Sequence, residues 1–226
     1  MKIKSFSKLF LFCVLVLIIG CKKNIQNDNP YTFLALGDSY TAGESVPDTL
    51  SWPFQLINQL NKNKILFKNP KILAKTGWTT DELISAIDSV NLEGKFDYVS
   101  LLIGVNNQYR GLDISNFKVE FNELLEMAIS FSGDNKQNVK VLSIPDWGVM
   151  PFAFDRDQNK ITKEINEYNF VKEKICLEKG IDFIDITSIS REAKFNPSLV
   201  GTDSLHPSDK MYSIWVKKMI PYFALK

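Results

Sequence analysis

The sequence predicts an α/β protein with three layers, in which helices cover both faces of a five-stranded parallel sheet. Five short apolar runs alternate with longer segments whose apolar residues recur at helical spacing, and this alternation is typical of a parallel sheet. Two of the runs, residues 98–103 and 139–144, are almost continuously apolar, as expected for strands covered on both faces. The length of 226 residues suits one globular domain, and 45% hydrophobic residues suffice for its core.

The predicted elements follow one another in a regular order. Strands are expected at residues 32–36, 71–74, 98–103, 139–144 and 181–186. Helices are expected at residues 52–60, 81–90, 116–131, 161–178 and 207–223. Thr79 and Thr80 are candidate caps of the second helix, and Gly180 is a natural end for the fourth. Ligands of such sheets bind beyond the carboxyl ends of the strands, so motifs at those ends are site candidates.

The first twenty residues are predicted to be an export signal. Three lysines precede an apolar run over residues 9–19, which is about half the length that a bilayer span needs. The run ends in Ile-Ile-Gly-Cys, and this resembles the lipobox of bacterial lipoproteins, in which the cysteine is lipidated and becomes the mature N-terminus. The resemblance implies a lipid anchor on Cys21 in the cell envelope, with Lys22 and Lys23 favouring the outer membrane. The alternative is an ordinary signal peptide that happens to contain a cysteine.

The mature chain is expected to have a simple organisation. Residues 21–29 are polar and are predicted to form a tether, and residues 30–226 are predicted to form the globular domain. With Cys13 removed and Cys21 lipidated, only Cys176 remains, so no intramolecular disulfide is expected. Cys176 lies in an apolar helical pattern, and we interpret it as a core residue.

Charge and histidine content exclude several classes of function. The 27 basic and 26 acidic residues nearly cancel, so a basic nucleic-acid-binding protein is not expected. The single histidine, His206, excludes a zinc or iron site built from several histidines. We expect no metal and no cofactor.

The first predicted strand runs directly into Gly-Asp-Ser at residues 37–39. Ser39 then follows the carboxyl end of a strand at the start of a turn, where free backbone N–H groups can bind a developing oxyanion. Gly-Asp-Ser alone is also compatible with a simple capping turn, because these residues are common in turns.

Asp203 and His206 lie just before the last predicted helix. At a separation of three residues on a turn, the carboxylate can hold one imidazole nitrogen and fix the tautomer. The other nitrogen can then accept the proton of Ser39. This pairing favours a catalytic role for His206 over a structural one.

Two further positions can supply donors for an oxyanion. Gly77 follows the second predicted strand and Asn106 follows the third, so both lie at the same sheet edge as Ser39. Each is equally compatible with an ordinary turn when considered alone.

Together these blocks resemble the SGNH hydrolase superfamily, also called GDSL lipases and esterases. The four name-giving residues match Ser39, Gly77, Asn106 and His206, in the family's order, and the resemblance extends from about residue 30 to the C-terminus. It implies a flavodoxin-like sandwich with Ser39 as nucleophile, His206 as general base and acid, and Asp203 as its partner. The oxyanion would be bound by the backbone N–H groups of Ser39 and Gly77 and by the Asn106 amide.

The blocks depart from the family pattern at three positions. Tyr40 replaces a leucine, which is a common substitution, and Asn107 stands where an aspartate is usual. The second departure is expected to alter how the Asn106 loop is held. The residues before Gly77 are Lys and Thr where many relatives have Asn or Ser, which makes Gly77 the least securely matched residue.

The substrate is left open by the sequence. Residues 145–154 follow the fourth strand and carry four large apolar side chains, which either line a substrate pocket or pack onto the neighbouring helix. Trp78 and Tyr109 pose the same alternative. A serine ester hydrolase acting on an envelope glycan, a lipid or a small ester is the leading hypothesis. An acyltransferase using the same residues and a non-catalytic binding lipoprotein are the alternatives.

Overall fold

The computed structural model describes residues 29–90, 92 and 94–223. The predicted signal peptide, Cys21 and all but the last residue of the predicted tether lie outside the described residues. Among the described residues, no helix combines the length and the apolarity that crossing a membrane would require.

The predicted five-stranded parallel sheet is confirmed. Its strands are β1 (Phe33–Gly37), β2 (Lys71–Ala74), β3 (Tyr98–Leu102), β4 (Val139–Leu142) and β5 (Asp182–Ile184). They lie in the order β2-β1-β3-β4-β5, and all pairs are parallel. This is the flavodoxin-like order, whose topological switch point falls between β1 and β3. A ligand site is therefore expected where those two strands end.

Helices cover both faces of the sheet, as predicted. The helices are α1 (Ser39–Ala42), α2 (Trp52–Lys62), α3 (Thr80–Val90), α4 (Val105–Tyr109), α5 (Ile114–Phe131), α6 (Gln158–Lys179), α7 (Thr187–Arg191) and α8 (Asp209–Phe223). Helix α2 packs against α8, whereas α5 packs against α3 and α6, which gives the two outer layers. Helices α1, α4 and α7 were not predicted from the sequence.

Three strands end earlier than their apolar runs predict. The run 139–144 forms a strand only to Leu142, because side chains of α6 bind the backbone beyond it. The Asn169 amide accepts from the N–H of Ile144 at 2.7 Å and donates to its carbonyl at 2.9 Å. The apolar run therefore continues into the core while its backbone leaves the sheet.

A lysine is buried at the carboxyl ends of β3 and β4. Lys172 on α6 donates to the carbonyls of Ile103 and Leu142, at 3.0 and 2.8 Å. Burial lowers the pKa of its ammonium group, while Cys176 and Asp38 act in the opposite direction. Burial likewise raises the pKa of Asp38, against the Tyr40 N–H and the Lys172 charge. Cys176 itself is buried and free, in agreement with its interpretation as a core residue.

We expect Lys172→Met to lower the free energy of unfolding by about 3 kcal/mol, because it leaves two carbonyls and a buried acid without their cation. Urea denaturation followed by circular dichroism measures the change. Lys95→Met is the matched control, since exposed Lys95 also donates to a carbonyl, that of Ser130. Equal effects of the two substitutions would contradict the prediction.

Candidate active site

The turn after β1 places Ser39 at the switch point of the sheet. Gly37 ends the strand, and a Cβ there would lie 2.3 Å from the Leu102 carbonyl oxygen, so this close approach requires glycine. Asp38 caps α1 by accepting from the Tyr40 N–H at 3.0 Å. Ser39 is the first residue of α1, and its own N–H is not used within that helix.

The loop before α8 brings Asp203 and His206 to Ser39. The Nε2 atom of His206 lies 3.0 Å from Ser39 Oγ, and Nδ1 lies 2.5 Å from Asp203 Oδ2. The other carboxylate oxygen, Oδ1, accepts from the backbone N–H groups of Leu205 and His206 at 3.0 and 2.9 Å. A bond from the Gly201 N–H to the His206 carbonyl, at 2.7 Å, closes the loop. The three side chains thus form a continuous hydrogen-bonded series.

The electrostatics of this series keep the carboxylate ionised. Partial burial raises the pKa of Asp203, but hydrogen bonds from the His206 side chain and from the backbone N–H groups of His206 and Leu205 outweigh it, and the net pKa is lowered. His206 is buried, and its ring meets that of Tyr40 edge-on at a centroid distance of 5.6 Å. The imidazole is therefore held on two sides.

Gly77 and Asn106 lie at the same cavity as Ser39 and His206. The cavity has a volume of about 220 Å³, and all four residues line it. Gly77 has φ of +89°, a conformation that favours glycine. The Asn106 amide donates one hydrogen to the Trp78 carbonyl at 2.9 Å, which leaves its second hydrogen for a ligand. The structure brings together every site residue that the sequence predicted.

Asn107 binds α4, the helix that carries Asn106, to α3. Its Oδ1 accepts from the Thr80 N–H at 3.1 Å, and its Nδ2 donates to Thr80 Oγ1 at 2.6 Å. The Thr80 hydroxyl donates in turn to Glu120. Because that hydroxyl proton is committed to Glu120, position 107 must supply a donor as well as an acceptor. An amide does this and a carboxylate does not, which explains the departure from the usual aspartate.

The large apolar side chains of residues 145–154 divide between the two roles that the sequence left open, except for Phe154, which is exposed. Trp147 and Phe152 line the cavity, together with Tyr109 on α4, whereas Met150 is buried in the core. The indole N–H of Trp147 donates to Gln108 Oε1 at 2.7 Å, which fixes the ring in the cavity wall. Trp78 packs against the core.

Sequence reasoning missed the residues that support this wall and the Gly77 turn. Arg110 donates to the Gly77 carbonyl at 2.6 Å and pairs with Glu82 at 3.2 Å. Arg156 lies over the rings of the cavity wall. Neither arginine belongs to a motif, so no signal in the sequence singled them out. Within the described part of the chain, no cluster of three or more His, Cys, Asp or Glu side chains is placed to hold a metal ion.

A hydroxyl, an imidazole and a carboxylate in hydrogen-bonded series, beside a cavity at the carboxyl edge of a parallel sheet, define a site of the serine-hydrolase type. A comparison with protein families agrees with this type of site. The chain belongs to the GDSL-like lipase/acylhydrolase family, whose model matches residues 35–214. No curated protein sequence matches the chain.

Solved structures of similar fold include several esterases. The structure of TesA has a TM-score of 0.68 at 15% identity, with 85% of this chain and 98% of that chain covered. The esterase EstA from Pseudoalteromonas sp., inhibited by monoethylphosphonate, has a TM-score of 0.65 at 14% identity and coverages of 85% and 96%. A variant of Axe2, an acetyl xylan esterase from Geobacillus stearothermophilus, has a TM-score of 0.60 at 17% identity and coverages of 87% and 95%. At these identities the likeness shows a shared fold.

The family resemblance assigns the Asn106 amide to the oxyanion, and on that prediction we expect Asn106→Ala to lower kcat by about 10²–10³-fold, the usual cost of removing one such donor. KM should change little, because the oxyanion exists only in the transition state and intermediate. Steady-state kinetics on a short nitrophenyl ester measures both constants. Asn116→Ala, which removes an exposed amide on α5, is the control. An Asn106→Ala variant with unchanged kcat would contradict the role of this amide.

Proposed function

We propose that the chain is a serine ester hydrolase that cleaves a carboxylic ester through an acyl-enzyme intermediate. The observation that carries the proposal is the 3.0 Å contact between Ser39 Oγ and His206 Nε2 at the cavity, with Asp203 on the opposite ring nitrogen. Membership of an acylhydrolase family and the esterases among the similar structures support it.

The first half of the reaction forms the acyl-enzyme. His206 Nε2 accepts the Ser39 proton as Oγ attacks the ester carbonyl, and Asp203 stabilises the resulting imidazolium. The Ser39 and Gly77 backbone N–H groups and the free hydrogen of the Asn106 amide bind the tetrahedral oxyanion. His206 then gives its proton to the leaving alcohol oxygen, and the acyl group stays on Ser39.

The second half releases the acid. Water enters the site of the departed alcohol, and His206 takes one of its protons as the water oxygen attacks the acyl carbonyl. The same three donors bind the second oxyanion. Collapse of this intermediate returns the proton to Ser39 Oγ and frees the carboxylic acid.

The cavity favours esters with a short acyl group. Its volume of about 220 Å³ is below the range of roughly 300–1,000 Å³ that is usual for drug-sized ligands. Aromatic and aliphatic side chains form most of its lining, so it suits a small acyl group such as acetyl together with the adjoining part of the alcohol. A small acyl ester of a glycan or of another alcohol therefore fits better than a long-chain lipid.

Two measurements on residues 22–226 test the proposal. Nitrophenyl esters of increasing chain length should be hydrolysed, with kcat/KM falling as the acyl chain lengthens. A fluorophosphonate should label the protein, and peptide mass spectrometry should map the adduct to Ser39. A folded protein that is neither labelled nor active would favour the binding lipoprotein instead. Acyl products formed on added alcohols in place of free acid would favour the acyltransferase.

We also propose that Cys21 carries a lipid that anchors the enzyme in the cell envelope, at the outer membrane. The proposal rests on the lipobox-like residues 18–21 and on the two lysines that follow. Labelled palmitate should be incorporated into the full-length chain expressed in a bacterium and not into Cys21→Ala. Soluble, unlabelled wild-type protein in the periplasm would overturn it.

A further inference from the structure

An arginine is held against the aromatic wall of the cavity. The guanidinium carbon of Arg156 lies 5.3, 5.5 and 5.1 Å from the ring centroids of Tyr109, Trp147 and Phe152. All three rings line the cavity. The backbone N–H of Arg156 donates to the Ala153 carbonyl at 3.0 Å, which fixes the backbone at the base of this side chain. Contact with three rings restrains the position of the cation at the cavity wall.

The charge of Arg156 has no counter-ion among the described residues. In residues 29–90, 92 and 94–223, no carboxylate oxygen lies within 4.0 Å of its guanidinium. Its side chain makes one long hydrogen bond, to Tyr109 Oη at 3.4 Å, although a guanidinium carries five N–H donors. Arg110, by contrast, is engaged by Glu82 and by the Gly77 carbonyl. Arg156 is exposed, so its remaining donors are accessible to a ligand.

The position of the aromatic wall indicates which part of a substrate meets Arg156. The Phe152 N–H donates to the Ser204 carbonyl at 3.0 Å, and Ser204 lies in the loop that carries His206. In the proposed reaction His206 protonates the oxygen of the leaving alcohol, so the alcohol portion lies on the His206 side of Ser39. The backbone of Phe152 thus binds the loop that carries His206, and the ring of the same residue contacts Arg156.

We propose that Arg156 binds an anionic group, a carboxylate or a phosphate, on the alcohol portion of the ester. This inference rests on the proposed esterase function, whose substrate class it specifies. The forked donors of a planar guanidinium match the oxygens of a carboxylate and of a phosphate, so both groups suit this arginine. The enzyme is thus selective for esters that join a short acyl group to an alcohol carrying a carboxylate or a phosphate.

The test compares esters that differ in charge and share the acetyl group. The probes are 3-acetoxybenzoate, 3-acetoxyphenyl phosphate and the neutral methyl 3-acetoxybenzoate. The measured quantity is the ratio of kcat/KM for each anionic probe to that for the neutral one, so differences in intrinsic reactivity cancel between variants. We expect Arg156→Gln to lower this ratio about tenfold, the loss of roughly one charge-assisted contact. The anionic probe with the larger decrease identifies the preferred group.

Two further variants separate recognition from other effects. Lys160→Gln removes a nearby exposed cation on α6 that pairs with Glu164, and it should leave the ratio unchanged. Arg156→Lys keeps the charge without the planar donors and should restore part of the ratio. The inference is overturned if Arg156→Gln slows the hydrolysis of all three esters equally, which assigns Arg156 a structural role. It is also overturned if the variant slows none of them, which assigns Arg156 no role.

Binding measurements keep this inference separate from the esterase proposal. Calorimetric titration compares 3-hydroxybenzoate with its methyl ester on the wild type and on Arg156→Gln. The inference is supported if the wild type binds the anion more tightly than the methyl ester and Arg156→Gln abolishes this preference. This holds even if no ester is hydrolysed, an outcome in which only the esterase proposal fails. Equal binding of both compounds to the wild type overturns the Arg156 inference.

Discussion

Ser39→Ala is expected to lower kcat for a short nitrophenyl ester on the order of a million-fold, because in the proposed mechanism a triad without its nucleophile retains only the background of binding and oxyanion stabilisation. The hydroxyl has one side-chain partner, His206 Nε2. Its loss should therefore leave the fold intact, and the free energy of unfolding should change by less than about 1 kcal/mol. Single-turnover kinetics measures the chemical step, and urea denaturation measures the stability.

Ser45→Ala is the matched control for that experiment. Ser45 lies on the neighbouring loop, where its hydroxyl is 3.3 Å from Thr202 Oγ1, so its replacement perturbs the same region without touching the nucleophile. Ser45→Ala should keep kcat within about threefold of the wild type, as expected for a hydroxyl outside the reacting atoms. Activity that survives in Ser39→Ala after removal of contaminating esterases would exclude the acyl-enzyme mechanism.

The strands and the three layers were accessible from the sequence because periodicity is a local property, whereas the strand order became visible only in the folded chain. An almost continuous apolar run such as 98–103 predicts a strand that is buried on both faces, and apolar residues at helical spacing predict a helix with one apolar face. The short helices α1, α4 and α7 have four or five residues, too few to show a period. The early ends of β3 and β4 depend on Lys172 and Asn169, whose contacts with distant carbonyls leave no mark in their own neighbourhood.

The candidate site was predictable to the extent that its chemistry is carried by motifs. Ser39 follows the end of β1, and Asp203 and His206 precede the last helix. Together they are the residue types of a charge-stabilised nucleophile, so the chain could be expected to bring them together. The Asn106–Trp78 contact and the Asn107–Thr80–Glu120 series join three separate elements, and only the folded chain relates them. Arg156 lies just outside residues 145–154, which the sequence singled out. Its contacts with rings from α4 and from the loop after β4 could not be predicted, because they form only in the folded chain.

Asp203→Asn is the substitution that isolates the electrostatic part of the mechanism, because the geometry dictates how the amide must turn. In the wild type, Oδ1 accepts from two backbone N–H groups and Oδ2 faces His206 Nδ1. An asparagine keeps both backbone bonds only if its oxygen occupies the Oδ1 position. Its NH₂ group then faces Nδ1 and donates to it. The imidazole is thereby forced to carry its proton on Nε2, where it can no longer accept the proton of Ser39.

The expected result is a fall in kcat of about ten-thousand-fold at neutral pH, with the loop conformation retained. Because His206 is the only histidine in the chain, ¹⁵N resonances of the imidazole report the tautomer directly, and the proton should move from Nδ1 to Nε2 in the variant. Asp209→Asn, which removes an exposed carboxylate in the first turn of α8, controls for the loss of negative charge nearby and should retain full activity. If Asp203→Asn kept the wild-type tautomer and still lost activity, the carboxylate would act through its charge on the imidazolium alone. Retention of more than about a tenth of the wild-type kcat would remove Asp203 from the catalytic series, since the orienting carboxylate of a triad is worth several orders of magnitude.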